Sequence, residues 1–224
     1  MTLLMDFLEN DTIDKPIRRW DEAFLPDELE RLVHDARLTD DDGTVRPLAK
    51  ETRVVFTADK TPTPHDPPRW GLWCLLFGVA VGGLAFLTGR AWRNRGGRGW
   101  RVLLGFEAAA IGVLYGVPGT ALLLMGAFSN HQVTWRNENL FFANPLTLLM
   151  LPLGLLFASG LRRAERWLAT ITFALAVLGL VGLGAKGLPW FDQENWRTIA
   201  LMLPVTLGFA GAFAQRGSVP ADAV

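Results

Sequence analysis

The chain has 224 residues, half of them apolar, and its 22 basic side chains balance 22 acidic ones, so the formal charge is zero. That length accommodates one or two domains. Balanced charge, with no basic and aromatic-interleaved surface apart from membrane flanks, speaks against nucleic-acid binding.

The average conceals a division. Met1–Arg69 carries sixteen acids against ten bases, whereas Trp70–Val224 carries six acids against twelve bases. The second part is punctuated by apolar runs of about 17–25 residues, the length that crosses roughly 30 Å of hydrocarbon, which excludes a water-soluble globule.

The first residues lack a basic n-region and meet acids at Asp6 and Glu9, so they do not read as a signal peptide. From Pro26 to Arg37 a short amphipathic helix is expected, with Leu29, Leu32, Val33 and Ala36 on one face, proline at its start and acids in its first turn. Asp40–Gly43 is a turn cluster, and Glu51–Ala58, β-branched and partly alternating, reads as a strand. Four prolines between Thr61 and Arg69 favour an extended polyproline II linker. The expected organisation is therefore an acidic extracytoplasmic α+β segment over 1–60, a linker over 61–69, a membrane domain over 70–215 and a tail over 216–224.

Five membrane helices are expected at about 70–89, 102–127, 144–160, 168–185 and 198–215, making an all-α polytopic membrane protein. Glycine and proline recur inside these runs (Gly78, Gly82, Gly116, Pro118, Gly119, Pro152, Pro204), as close helix packing permits. Nine bases fall on one side (Arg90, Arg93, Arg95, Arg98, Arg101, Arg162, Arg163, Arg166 and Arg216) and three on the other (Arg136, Lys186 and Arg197). The positive-inside rule then places the N-terminal segment and the loops 128–143 and 186–197 outside, with the C-terminus in the cytoplasm. Export of an outer N-terminal segment needs either reverse translocation by the first helix or a polypeptide that starts upstream of Met1, and the second is the expectation. Trp70, Trp73, Trp92, Trp100, Trp135, Trp167, Trp190 and Trp196 all lie near predicted interfaces.

Candidate chemistry concentrates in the two outer loops. One holds Asn130, His131, Arg136, Asn137, Glu138, Asn139 and Asn144; the other holds Asp192, Gln193 and Asn195. Arginine suits a phosphate, Glu138 or His131 suits proton transfer, and the amides suit ester or amide carbonyls. The competing explanation is that these loops only cap helices. Glu107 is the acid well inside an apolar run, a position that marks either function or a shallow carboxylate paired with a nearby basic group. Cys74 is the single cysteine, so no disulfide framework or thiolate metal site forms within one chain. His34 and His65 lie in polar surroundings, and no metal or cofactor is expected. Glycine-rich phosphate loops, Gly-x-Ser-x-Gly elbows and His-Glu-x-x-His patterns are missing from the sequence.

Pro16-Ile-Arg-Arg-Trp-Asp-Glu-Ala-Phe-Leu-Pro-Asp-Glu-Leu29, Asn130-His131 with Arg136-Asn-Glu-Asn-Leu140, Asn144-Pro145-Leu146 and Asp192-Gln-Glu-Asn-Trp196 together resemble the bacterial Lnb-type lipoprotein N-acyltransferase family. The resemblance covers most of the chain but only the later part of that architecture. It implies phospholipid and lipoprotein substrates in the bacterial inner membrane. It also implies a thiolate nucleophile with a histidine base in an extracytoplasmic domain preceding the bundle, supplied by earlier residues or by a separate chain. No catalytic residue of the family transfers to a position here, and Cys74 does not match the family's cysteine. A noncatalytic membrane protein whose outer domain docks a partner is the alternative. A transporter ranks third, since paired midplane charges and repeats are both missing from the sequence.

Overall fold

The computed structural model describes residues 7–8, 25–55, 70–130 and 134–214. The expectations for residues 16–24, the linker over 61–69 and the tail over 216–224 lie outside the described residues. The chain divides into two units, Lys15–Pro67 and the remainder.

In the smaller unit, α1 spans Pro26–Asp35, with proline at its first position and Asp27 and Glu28 in its first turn. Both favour an N-terminus, the proline because its missing N–H has no partner to lose and the acids because they complement the helix dipole. The helix stops two residues before the expected end because Ala36 is extended (ψ 141°) and Arg37 opens a hairpin. Strands β1 (Arg37–Thr39) and β2 (Val45–Pro47) pair antiparallel, with Leu38 opposite Arg46. Their turn is the Asp40–Gly43 cluster. Gly43 takes φ +85°, a conformation glycine adopts without steric cost, and Asp42 Oδ1 accepts from the Thr44 N–H at 2.9 Å. That hydrogen bond, formed to the charged carboxylate, holds the Asp42 carboxyl below its ordinary value. The strand expected at 51–58 does not form over its described part, 51–55. Val54 and Val55 are 74% and 88% exposed and find no partner strand, so β-branching alone does not extend the sheet.

Among the described residues, the larger unit contains five segments long and apolar enough to cross a membrane. They are α2 (Trp70–Arg95), α3 (Arg98–Phe128), an irregular third crossing ending in α4 (Met150–Ser159), α5 (Arg162–Ala185) and α6 (Trp196–Phe213). The arginines assigned to the first basic loop ride instead on the ends of α2 and α3. Gly96 (φ +64°) and Gly97 (φ +95°) alone make the reversal between these helices.

The helices form a ring in the order α2, α6, α5, α4, α3 and back to α2. Small residues set the spacing, because lipid tails compete with apolar side chains and close backbone approach supplies the packing. Gly78 and Gly82 of α2 lie against the backbone of Leu201 and Pro204, and Gly89 lies against Ala212. On the other side, Gly105 of α3 faces Gly154 and Ala158, Gly112 faces Met150 and Leu151, and Gly119 faces Ala143. Leu104, Leu122, Met150, Leu168, Val205 and Phe209 fill the interior.

The third crossing is not one helix. Glu138–Phe141 and Pro145–Leu149 are 3-10 turns, and only the last ten residues are α-helical. Non-helical backbone at this depth is tolerated where protein covers it, and Asn139, Phe142, Ala143 and Thr147 are buried. Gly160 (φ +107°) ends α4 while the Leu161 N–H returns to Leu156 O at 3.0 Å, a Schellman closure.

Candidate functional site

The irregular crossing places most of the expected outer-loop residues in one network. Asn137 caps the first 3-10 turn, its Oδ1 accepting from the Asn139 N–H at 2.9 Å. Asn144 caps the second by accepting from the Leu146 N–H at 3.0 Å, with Pro145 at the first position. Short amides suit these caps because they replace the backbone acceptors that a turn start lacks. Asn137 Nδ2 also donates to Phe7 O and Leu8 O at 3.0 and 3.1 Å, and Asn139 Nδ2 donates to Phe7 O at 3.0 Å.

The loops 128–143 and 186–197 are then latched to each other. The Glu138 N–H donates to Gln193 Oε1 at 2.9 Å, and the Gln193 N–H returns to Glu138 Oε1 at 3.1 Å. Lys186 Nζ reaches Glu138 Oε2 at 2.5 Å and also donates to Gln193 O. The Lys186 ammonium lies 5.2 Å from the Phe191 ring centroid. Asn195 Nδ2 donates to Asn139 Oδ1 at 2.9 Å. The Lys186 and Glu138 side chains are 8% and 7% exposed, so this is a buried ion pair with its lone pairs largely occupied, and its geometry resists solvent screening.

Burial separates the expected candidates into two sets. Asn137, Glu138, Asn139, Gln193 and Asn195 are consumed by the latch, while Asn144 is half-buried as a cap. Asn130, Arg136 and Asp192 are exposed, and His131 lies outside the described residues. Arg136 adopts φ +53°, an uncommon conformation for a side chain of its size. Among the described residues no carboxylate forms an ion pair with Arg136. Lys186, which the sequence marks only as a topology charge, is thus a member of the site. The signal for it is a lone lysine at the start of the 186–197 loop and a lone acid, Glu138, in the 128–143 loop.

Among the described residues, two buried polar atoms of this region have no hydrogen-bond partner: Asn195 Oδ1 and Thr147 Oγ1. Next to the latch an apolar groove of about 530 Å³ opens between α3 and α6, lined by Phe7, Leu8, Pro118, Ala121, Thr198 and Met202. Cys74 is buried on α2. Among the described residues no three His, Cys, Asp or Glu side chains converge on a metal position.

Glu107 stands apart from this network. Its Oε1 accepts from Thr88 Oγ1 at 3.1 Å, a hydroxyl on α2 in place of the basic partner expected, and its buried Oε2 has no partner among the described residues. It borders an apolar slot of about 570 Å³ between α2 and α3, floored by Leu201, Met202 and Phe209 of α6.

A family model for the Lnb transmembrane domain matches residues 70–187, covering α2 through α5. No curated protein and no solved structure matches the chain significantly.

Proposed function

Because this chain belongs to the Lnb transmembrane-domain family, we propose that it is the membrane portion of an acyltransferase that N-acylates bacterial lipoproteins in the inner membrane. The observation that carries the reading is the match of residues 70–187 to that domain. The nucleophile comes from a Cys/His-bearing domain outside these 224 residues. Its thiolate attacks an ester carbonyl of a phospholipid, forming a thioester and releasing the lysolipid. The α-amino group of the lipoprotein's lipidated cysteine then attacks the thioester, forming the amide and returning the thiol.

The membrane domain's part in this is positioning. The latched loops give a rigid platform at one membrane face, and the adjoining apolar groove is the place for an acyl chain. Arg136, exposed and without a carboxylate partner among the described residues, is the group on that platform suited to a lipid phosphate. With the outer face assigned by the positive-inside rule, platform and catalytic domain meet on the extracytoplasmic side.

The test is to co-express the chain with the family's Cys/His-bearing domain and measure N-acylation of a model lipoprotein by mass spectrometry. Transfer should need both parts, and Arg136→Ala or His131→Ala should lower it while leaving the amount of folded protein unchanged. Full transfer by both variants reduces the outer loops to scaffolding, and no transfer by the combination rejects the acyltransferase reading.

A further inference from the structure

At the arginine-rich end of the bundle a cavity of about 380 Å³ lies between α2 and α3, lined by Thr88, Arg90, Asn94, Arg95 and Trp100 together with apolar residues of α2. We propose that this cavity and the apolar slot beside it form a binding site for one anionic phospholipid of the leaflet on that side. The phosphate lies between Arg90 and Arg95 and an acyl chain runs along the slot.

The arginines of this end are not equivalent. Arg93 is committed to the fold, because its guanidinium donates to Gly211 O and Ala212 O and so caps the last turn of α6. Arg90 and Arg95 are exposed, and among the described residues neither forms an ion pair. A positive-inside bias requires basic residues at this end but does not require two of them to border one cavity. Guanidinium groups recognise phosphate through paired N–H donors, Asn94 adds an amide, and Trp100 supplies the amphipathic ring typical of headgroup depth.

What lies deeper matches the rest of the ligand. The cavity shares Leu84 with the slot lined by Phe77, Ala110 and Leu114, and the Thr88–Glu107 hydrogen bond joins the two spaces. Passing inward from the arginines, a ligand meets cationic lining, then Thr88 and Glu107 where the two spaces join, then the predominantly apolar remainder of the slot, the order in which a phospholipid presents phosphate, glycerol and chain. The site is on the face opposite the latched loops and does not depend on the acyltransferase reading.

The full chain, in detergent with added phosphatidylglycerol, is examined by native mass spectrometry. Arg90→Gln/Arg95→Gln should weaken lipid retention at least about tenfold, the loss expected when charge-assisted hydrogen bonds are removed. Arg162→Gln/Arg163→Gln, which removes equal charge from the same end at α5, should leave retention unchanged. Ala110→Trp, filling the slot from its open side, should also release the lipid without altering the arginines. Equal loss in the two arginine pairs overturns the proposal in favour of general attraction to the basic end. Unchanged retention in Ala110→Trp overturns it as well, because the chain is then not in the slot.

Discussion

Replacing Lys186 with methionine keeps the length and apolar stem of the side chain and deletes the charge that holds Glu138. The consequence follows from what surrounds the carboxylate. With both partners less than one-tenth exposed, water does not take over the lost contact. Glu138 retains the Gln193 N–H at 3.1 Å, while Gln193 O loses the donor that Lys186 supplied. Leaving one member of a buried ion pair uncompensated costs about 3–5 kcal/mol. For a unit of this size that corresponds to a fall in melting temperature of about 6–20 °C. The double variant Glu138→Gln/Lys186→Met should recover most of this. The glutamine oxygen can accept from the Gln193 N–H, and its amide can donate toward the Gln193 carbonyl, which keeps the Asn195 N–H at 2.9 Å as its other donor. Thermal unfolding in detergent, followed by tryptophan fluorescence, compares wild type, both single variants and the double. A loss below about 1 kcal/mol for Lys186→Met, with no recovery in the double, would refute the reasoning, because the pair would then be behaving as a solvated surface contact.

Other consequences can be measured in the same preparation. A Cβ on Gly82 would lie 2.8 Å from the Pro204 carbonyl carbon, whereas one on Gly83 meets nothing within 4 Å. Gly82→Ala should therefore destabilise the bundle by about 1–3 kcal/mol and Gly83→Ala should not, as read by SDS titration. Asn195→Leu removes the hydrogen bond to Asn139 Oδ1 and should cost about 0.5–1.5 kcal/mol, the net contribution of one such bond. The hairpin should respond to acid. The Asp42 carboxyl is held below its ordinary value of 3.8, so its contribution is present above that value and is lost as pH falls through the lowered one. Hydrogen exchange at Thr44 should accelerate in that range, and Asp42→Asn should flatten the dependence. Single cysteines introduced at Arg95 and Arg136 should label from opposite sides of the membrane, which tests the orientation drawn from the basic residues.

The helices were legible because apolar runs of bilayer length have few other uses. Trp70 and Trp196 open two of the crossings at or two residues before the expected starts, and Arg162 opens another about a turn and a half before its expected start. The third crossing was harder. Its apolar run gives the right span, yet Asn137, Asn144 and Pro145 cap short turns within it, and no hydropathy sum registers that. In the smaller unit the Asp40–Gly43 turn was readable from composition, but the strands beside it have three residues each and show no period. Val54 and Val55, with the better strand composition, stay unpaired. The polar loop residues were identifiable as a group. Their division into latch and exposed surface was not, since Glu138 and Gln193 are 55 residues apart and no local pattern couples them.

The ring order has a consequence for how the protein is made. Helix α2 leaves the ribosome before α3, α4, α5 and α6, yet among these helices it packs most extensively on α6. About 100 residues separate Arg95 from Trp196, so at ordinary rates of synthesis α2 waits roughly 5–20 s for its partner. During that interval the face bearing Gly78 and Gly82 is open to lipid or to another chain. The bundle is thus a clasp whose two ends meet only after α3, α4 and α5 have been made, and any failure to insert α6 leaves α2 without its mate.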